Sequence, residues 1–229
     1  MGRTPDDARI RIREDQAVSE GTPVRETTRL IVSGRDREAA RQGAQEGAGP
    51  MDPLQQLDQL AAPLGGVVAG ISADQLGLPT PCGDFDVRGV LEHMIAGAAT
   101  FAAAFRGEAP AEPDLSDPLA GFAPALGGLV EAISGPGALE RTLETPFGEV
   151  SGETFARYVV LDGLVHGWDL AMATRQPYHP SDELVAEAEA FAQGFLDPLR
   201  DGAAFGAAAP VGDDATPIER LAAYTGRTV

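Results

Sequence analysis

The sequence predicts an all-α fold, a four-helix bundle with a small β-hairpin insertion and extra C-terminal helices. Three observations carry this. Apolar residues recur at three- and four-residue spacing through most of the chain after residue 51. Only one short pair of segments alternates as strands do. The connections are short to medium and are punctuated by Pro, Gly and Asp, as between helices packed side by side.

The elements follow in order. From Asp52, Leu54, Leu57, Leu60, Leu64 and Val67–Val68 mark one face of a first helix that ends near Gly70–Ser72. Residues 73–85 hold two Pro and two Gly and read as a loop. Asp86 is a candidate N-cap for a second helix, Val87 to Phe105, because a short carboxylate can accept from the exposed first-turn amides. A Pro- and Asp-rich loop, 107–117, leads to a third helix from Pro118 to Ile133, stopped by Ser134-Gly135-Pro136-Gly137. Glu140–Thr145 and Gly148–Ser151 read as a hairpin turning at Pro146-Phe147-Gly148. A fourth helix runs from Gly152 to Thr174. A fifth starts after Ser181, with Glu183 and Glu187 suiting its positive end, and stops at Leu196 because Pro198 disfavours helical geometry at Asp197. A last short helix spans Pro217 to Tyr224.

Composition narrows the function. The 229 residues are 43% hydrophobic and 23% charged, enough for one compact domain with length to spare. The formal net charge is -18, and all 17 basic residues are Arg. Without Lys there is no Schiff-base or P-loop lysine. The acidic balance and 6% aromatic content argue against a nucleic-acid groove. It argues equally against an anionic membrane surface. No apolar run reaches the ~18 residues of a membrane span, and the start lacks a signal-peptide core. The single cysteine, Cys82, excludes an intrachain disulfide and a Cys-based zinc knuckle. A cytoplasmic protein, monomeric or homodimeric, is the simplest expectation. The charge is unevenly spread: residues 1–50 hold nine Arg and nine acids, so the whole -18 lies in 51–229. Residues 1–50 are polar, apart from the β-like patches Ala8 to Ile12 and Thr28 to Val32. They read as a disordered extension ahead of Met51, a candidate natural start, and 51–229 as the folded domain.

The fourth helix carries the chemistry. Between Tyr158 and Met172 its ionisable side chains are Asp162, His166 and Asp169. At about 100° per residue these share a face with Phe155, Val159 and Ala173. Leu161, Leu164, Trp168 and Met172 cover the other side. A helix apolar nearly all round is buried, so three ionisable groups on it must be paired or ligating. Asp162 and His166 are four apart and stack one above the other, a spacing that suits two ligands of one metal ion. The best third ligand is His93, on the second helix beside the small residues Gly89, Ala96, Gly97 and Thr100, a strip that would let another helix close in. Asp169, a turn beyond His166, could orient it or His93. The competing reading is an Asp162–His166 hydrogen-bonded couple with no metal. His179, beside Pro180 in a loop, reads as exposed, and Trp168 as core. Tyr158 sits on the side of the candidate ligands and reads as core or as a hydrogen-bond donor to one of them. Cys82 could be activated by the following helix N-terminus or be loop filler.

Leu164-Val165-His166-Gly167-Trp168-Asp169-Leu170-Ala171, with Ala173-Thr174 and Gln176-Pro177, resembles a known actinobacterial family. So do Thr80-Pro81-Cys82, Val90-Leu91-Glu92-His93 and the stretch from Pro217-Ile218-Glu219-Arg220-Leu221 to the closing Thr225-Gly226-Arg227. The family is the mycothiol-dependent maleylpyruvate isomerase metal-binding domain group of the DinB-like superfamily, and the resemblance covers roughly residues 52–229. It implies a DinB-like four-helix bundle with one divalent metal, usually Zn2+, held by a His of the second helix and an acid and a His of a later one. Carried over, these are His93, Asp162 and His166, with Asp162 standing where the isomerase has Glu. The resemblance further implies a small thiol, mycothiol, as co-substrate and a small electrophile as substrate, for S-transfer or thiol-assisted isomerisation. The stretch after the bundle is shorter than the isomerase's C-terminal domain. Arg88, Arg106, Arg157 and Arg175 are candidates to hold a carboxylate substrate. The alternative is a non-catalytic, metal-stabilised interaction module. An open apolar cavity over the ligands, carrying one or two Arg, would favour the enzyme.

Overall fold

Helices begin where the sequence supplies a cap. The computed structural model describes residues 50–83, 85–145, 148–200 and 207–229, with 198–200 described in backbone only. Helix α1 (Pro53–Ala69) starts on Asp52, whose carboxylate accepts from Leu54 N at 2.7 Å, with Pro53 in the first turn where its missing N–H costs nothing. Helix α2 (Val87–Arg106) starts on Asp86, which accepts from Gly89 N at 2.8 Å, and stops at Gly107 in the left-handed conformation. Helix α3 (Pro118–Ile133) repeats the Asp-Pro start with Asp117. Strands β1 (Thr142–Thr145) and β2 (Gly148–Ser151) pair antiparallel, Leu143 opposite Val150. Ser151 ends the hairpin and caps helix α4 (Gly152–Thr174). Helix α5 (Asp182–Arg200) begins after Ser181, which accepts from Leu184 N at 3.2 Å. Helix α6 (Pro217–Tyr224) opens on a reciprocal Thr216–Glu219 capping box.

Helices α1 to α4 form the bundle. The closest pairs are α2 with α3 and α1 with α4, while α1–α3 and α2–α4 meet more lightly. Helices α5 and α6 pack on α4. Helix α4 is therefore surrounded, and Phe155, Leu161, Leu164, Trp168 and Leu170 are all buried. Met172 departs from the expectation: near the C-terminal end of the helix it is 43% exposed and lines an open surface pocket with Tyr178 and Ile218. The chain is tied in from Met51, whose carbonyl accepts from Arg157 at 3.0 Å. Gln176 likewise donates to Val67 O at 3.0 Å, closing the end of α4 onto α1.

Apart from α2, which ends one residue later than predicted at Arg106, three stretches differ from the sequence prediction. Residues 73–85 include a 3-10 turn at Ala73–Gln75, held by the Ser72 and Gln75 side chains. Glu140 and Arg141 fall outside β1, because Arg141 N turns back to Ala138 O and its carbonyl accepts from Gly152 N at 2.7 Å. Helix α5 runs past Pro198 to Arg200. Just before the proline, Leu196 is fully buried and Asp197 accepts from Tyr224 Oη at 2.6 Å, so tertiary contacts outweigh the proline's local preference. The expected extension over 1–50, with its patches Ala8 to Ile12 and Thr28 to Val32, lies outside the described residues but for Pro50. So does the hairpin turn but for Gly148. Among the described residues no helix is long and apolar enough to cross a membrane.

Gly152 sits where the hairpin hands over to α4. A β-carbon there would run into the Ala138 carbonyl and come within 3.0 Å of Leu139 Cα, both backbone and unable to give way. Gly152→Ala is expected to cost about 1–3 kcal/mol of unfolding free energy, as overpacking does. Urea unfolding followed by circular dichroism measures it, and an unchanged midpoint would show that the hairpin yields.

Candidate metal centre

Helix α4 presents Asp162 and His166 one turn apart, and α2 brings His93 across to them. His166 Nε2 lies 3.5 Å and His93 Nε2 4.0 Å from the same atom, Asp162 Oδ1. The two imidazoles meet edge to face with centroids 5.0 Å apart. His166 is buried, Asp162 is half-buried and His93 is 44% exposed at its side chain, so the cluster opens to solvent on the His93 side. Of the small strip beside His93, Gly89 sits against Phe85, and Gly97 lines a cavity.

Behind His166 the arrangement is fixed. Its Nδ1 is 3.0 Å from Asp169 Oδ2, and Asp169 is fully buried. Arg227, from the segment after α6, grips Asp169 with two hydrogen bonds, Nη2 to Oδ2 at 3.0 Å and Nε to Oδ1 at 3.3 Å. Asp169 accepts at Nδ1 of the ring, which turns Nε2 toward Asp162. Each residue of the His166-Gly167-Trp168-Asp169 run thus has its own cause. Gly167 is there because the Tyr178 ring occupies the place of a side chain, its Oη 2.5 Å from where a β-carbon would stand. Among the described residues Tyr178 Oη is buried without a hydrogen-bond partner. Trp168 is 3% exposed and belongs to the core.

The charges respond to one another. Burial pushes the Asp162 carboxyl up, but the His166 charge, the His93 hydrogen bond and Arg227 together hold it below the usual range, so it is ionised. The Asp162 hydrogen bond raises the His93 imidazole against its partial burial. Burial and the Asp162 charge push the Tyr158 phenol far up, so it keeps its proton. Burial works against the Arg227 charge, but Asp169 outweighs it and the guanidinium is held more firmly protonated.

A cavity of about 70 Å3 opens beside His93 and Asp162, between α1, α2, α3 and α4. Tyr158, a turn before Asp162, lines it, and the rest of its wall is apolar. None of Arg88, Arg106, Arg157 and Arg175 reaches it. Arg88 pairs with Glu92, Arg106 with Gly128 O and Glu131, and Arg157 with Glu153 and Met51 O, while Arg175 is exposed at the C-cap of α4. His179 is exposed. Cys82 lies in the loop before α2, within 4.8 Å of donor atoms of His166 and Asp169, rather than at the helix N-terminus. That second group of donors is already committed, because both Asp169 oxygens are engaged by Arg227 and His166. Sequence reasoning misses Arg227 and the approach of Cys82 to His166. The signal available for Arg227 is its place in the closing Thr225-Gly226-Arg227.

The chain matches the family model for the mycothiol maleylpyruvate isomerase N-terminal domain over residues 57–171. It is also 34% identical over 183 residues to uncharacterized proteins of Mycobacterium tuberculosis strains CDC 1551 and H37Rv, an alignment covering 78% of this chain and all of each relative. No solved structure matches it significantly.

Asp169 is 0% and Arg227 14% exposed at the side chain, so removing either strands a buried charge. Arg227→Leu is expected to cost about 3–5 kcal/mol in urea unfolding. A loss under about 1 kcal/mol, typical of a surface pair, would show that the ion pair does not fasten the C-terminal segment to α4.

Proposed function

The chain belongs to the mycothiol maleylpyruvate isomerase N-terminal domain family, and on that footing we propose a divalent-metal centre held by His93, Asp162 and His166. One observation carries the reading. Two imidazole nitrogens face one carboxylate oxygen, and the buried ring is already held in orientation by the Asp169–Arg227 pair. The donor chemistry fits zinc, which favours nitrogen and carboxylate ligands. Bonds of about 2.0–2.2 Å in a tetrahedral site set neighbouring ligand atoms roughly 3.3–3.5 Å apart. The 3.5 Å separation already fits, and the 4.0 Å one needs an approach of roughly half an ångström by His93.

Among the described residues three donors gather around this point rather than four. Three protein ligands leave an open coordination position, which favours a catalytic centre over a purely structural one. A bound zinc ion would supply Lewis acidity there and lower the pKa of a water or thiol. The chain's own residues do the rest. His93 stands at the mouth. Tyr158, protonated and lining the cavity, can donate a hydrogen bond to a substrate atom. The apolar wall keeps water from the reacting group. Family membership makes mycothiol the reading for the thiol co-substrate and a small electrophile the reading for its acceptor, in S-transfer or thiol-assisted isomerisation.

Elemental analysis of the purified chain beside His166→Ala tests the centre. About one zinc ion per chain, lost in the variant, is the expected result. Asp169→Asn should keep the ligands but weaken zinc binding about 10- to 100-fold, as loss of an orienting carboxylate does. No zinc after reconstitution of the native chain would sink the reading and leave Asp162 and the two His as a structural cluster.

A further inference from the structure

We propose a second ligand site, apart from the metal centre, that takes a small organic cation: a primary ammonium group carried on an apolar body. The site is a pocket of about 330 Å3 between α4, the loop 176–180 and the first turns of α5 and α6. None of His93, Asp162, His166 and Asp169 lines it.

The depth of the pocket is apolar. Trp168, Tyr178, Val185 and Ile218 line it and are each buried, while Met172, 43% exposed, stands at its edge. An apolar cavity of about 150 Å3 holds benzene, so a phenyl-sized body fits here with room for a short polar arm.

The charged side chains of the pocket are acidic. Asp182, in the first turn of α5, and Glu219, in the first turn of α6, both line it. Glu219 Oε2 accepts from Thr216 N and Oγ1 at 2.7 Å each, which leaves its other oxygen to the pocket. The one basic lining residue is His179, and neither Arg nor Lys lines the space. Carboxylates alone would not define a site in a chain of net charge -18. Tyr178 supplies an independent sign. It is 7% exposed, and among the described residues its Oη is buried without a hydrogen-bond partner. A hydroxyl withdrawn from water and left unpaired is costly, so a pocket wall that carries one is completed by a ligand atom.

A primary ammonium matches this set of acceptors. It brings a positive charge and three N–H donors for two carboxylates and a phenol oxygen, while its apolar body takes the buried part of the pocket. The indole and phenol rings add attraction for a cation. The negative charge of the whole chain raises the local concentration of cations further.

Titration of the full chain with phenethylammonium tests the proposal. Trp168 is the only tryptophan, so its fluorescence reports on the pocket, and calorimetry reads the same binding by heat. The cation is expected to bind saturably, at least about fivefold tighter than phenethyl alcohol, with phenylacetate weaker than either. Glu219→Gln keeps the capping box and removes a charge, and together with Asp182→Asn it should erase the preference for the cation over the alcohol. Tyr178→Phe keeps the ring, removes the oxygen and should weaken the cation about threefold or more. Met172→Arg changes an exposed side chain that folding does not depend on. It sets a like charge at the edge and should weaken the cation without weakening the alcohol. Equal affinity for alcohol and cation overturns the proposal, as does cation binding unchanged by the double variant, by Tyr178→Phe or by Met172→Arg. Methylammonium has the charge without the body; if it binds as tightly, the attraction belongs to the acidic surface at large and the proposal falls.

Discussion

Asp169 is the residue on which the rest of the centre depends. It is completely buried, yet both of its oxygens are engaged, one with Arg227 and the other with Arg227 and His166 together. A lone carboxylate at that depth would be untenable, so its burial requires both partners. The consequences run in two directions. Toward the bundle, Asp169 fixes which nitrogen of His166 faces Asp162. Toward the C-terminus, it draws Arg227 inward, and with it the segment after α6. Thr225, which Arg227 also contacts, is buried beside it. The short capped helix α6 then lies against α4 and α5 instead of depending on its own eight residues.

Helix α4 combines two demands that oppose each other. It is the most enclosed helix of the bundle, and that enclosure favours apolar residues on every side. It also carries the ionisable groups of the centre. The conflict is resolved by position. Asp169 is paired where burial is complete, His166 is buried but hydrogen-bonded, and Asp162 faces a cavity that opens to solvent near His93. Polarity thus rises stepwise along one face of the helix. The small residues serve the same enclosure: Gly167 admits the Tyr178 ring, and Gly152 lets α4 start against the loop before the hairpin.

The cavity follows from how the helices pair. Because α1 lies on α4 and α2 on α3, the centre of the bundle is filled by side chains reaching across from both pairs. Where Gly97 and Ala98 of α2 face Ala125 of α3, those side chains are too short to meet. Space left by small residues in an apolar core stays dry unless polar groups line it, and here His93, Asp162 and Tyr158 are the ionisable side chains on an otherwise apolar wall.

Local patterns were enough for the elements. Asp52, Asp86, Asp117, Ser151, Ser181 and Thr216 each cap a helix by short-range chemistry, and the bounds of α3, α4 and α6 were legible residue by residue. The juxtaposition of Asp162 with His166 was equally legible, because helical geometry alone puts them together. The resemblance of the His166-Gly167-Trp168-Asp169 stretch pointed to the family to which the chain belongs. Other features needed the fold. Pro198 could not stop α5 against contacts made by Leu196 and Asp197 with the rest of the chain. Arg227 is 58 residues from Asp169, and no periodicity links them. Cys82 reaches His166 only because the loop before α2 folds over the end of α4. The four Arg singled out as substrate-holding candidates bind surface partners or stand exposed instead of facing the cavity. Sequence by itself determined which residues cap, alternate and stack, since those interactions span four residues or fewer. Tertiary structure decided which charge is buried, which is paired and which faces a cavity, since each of these depends on groups brought together from distant parts of the chain.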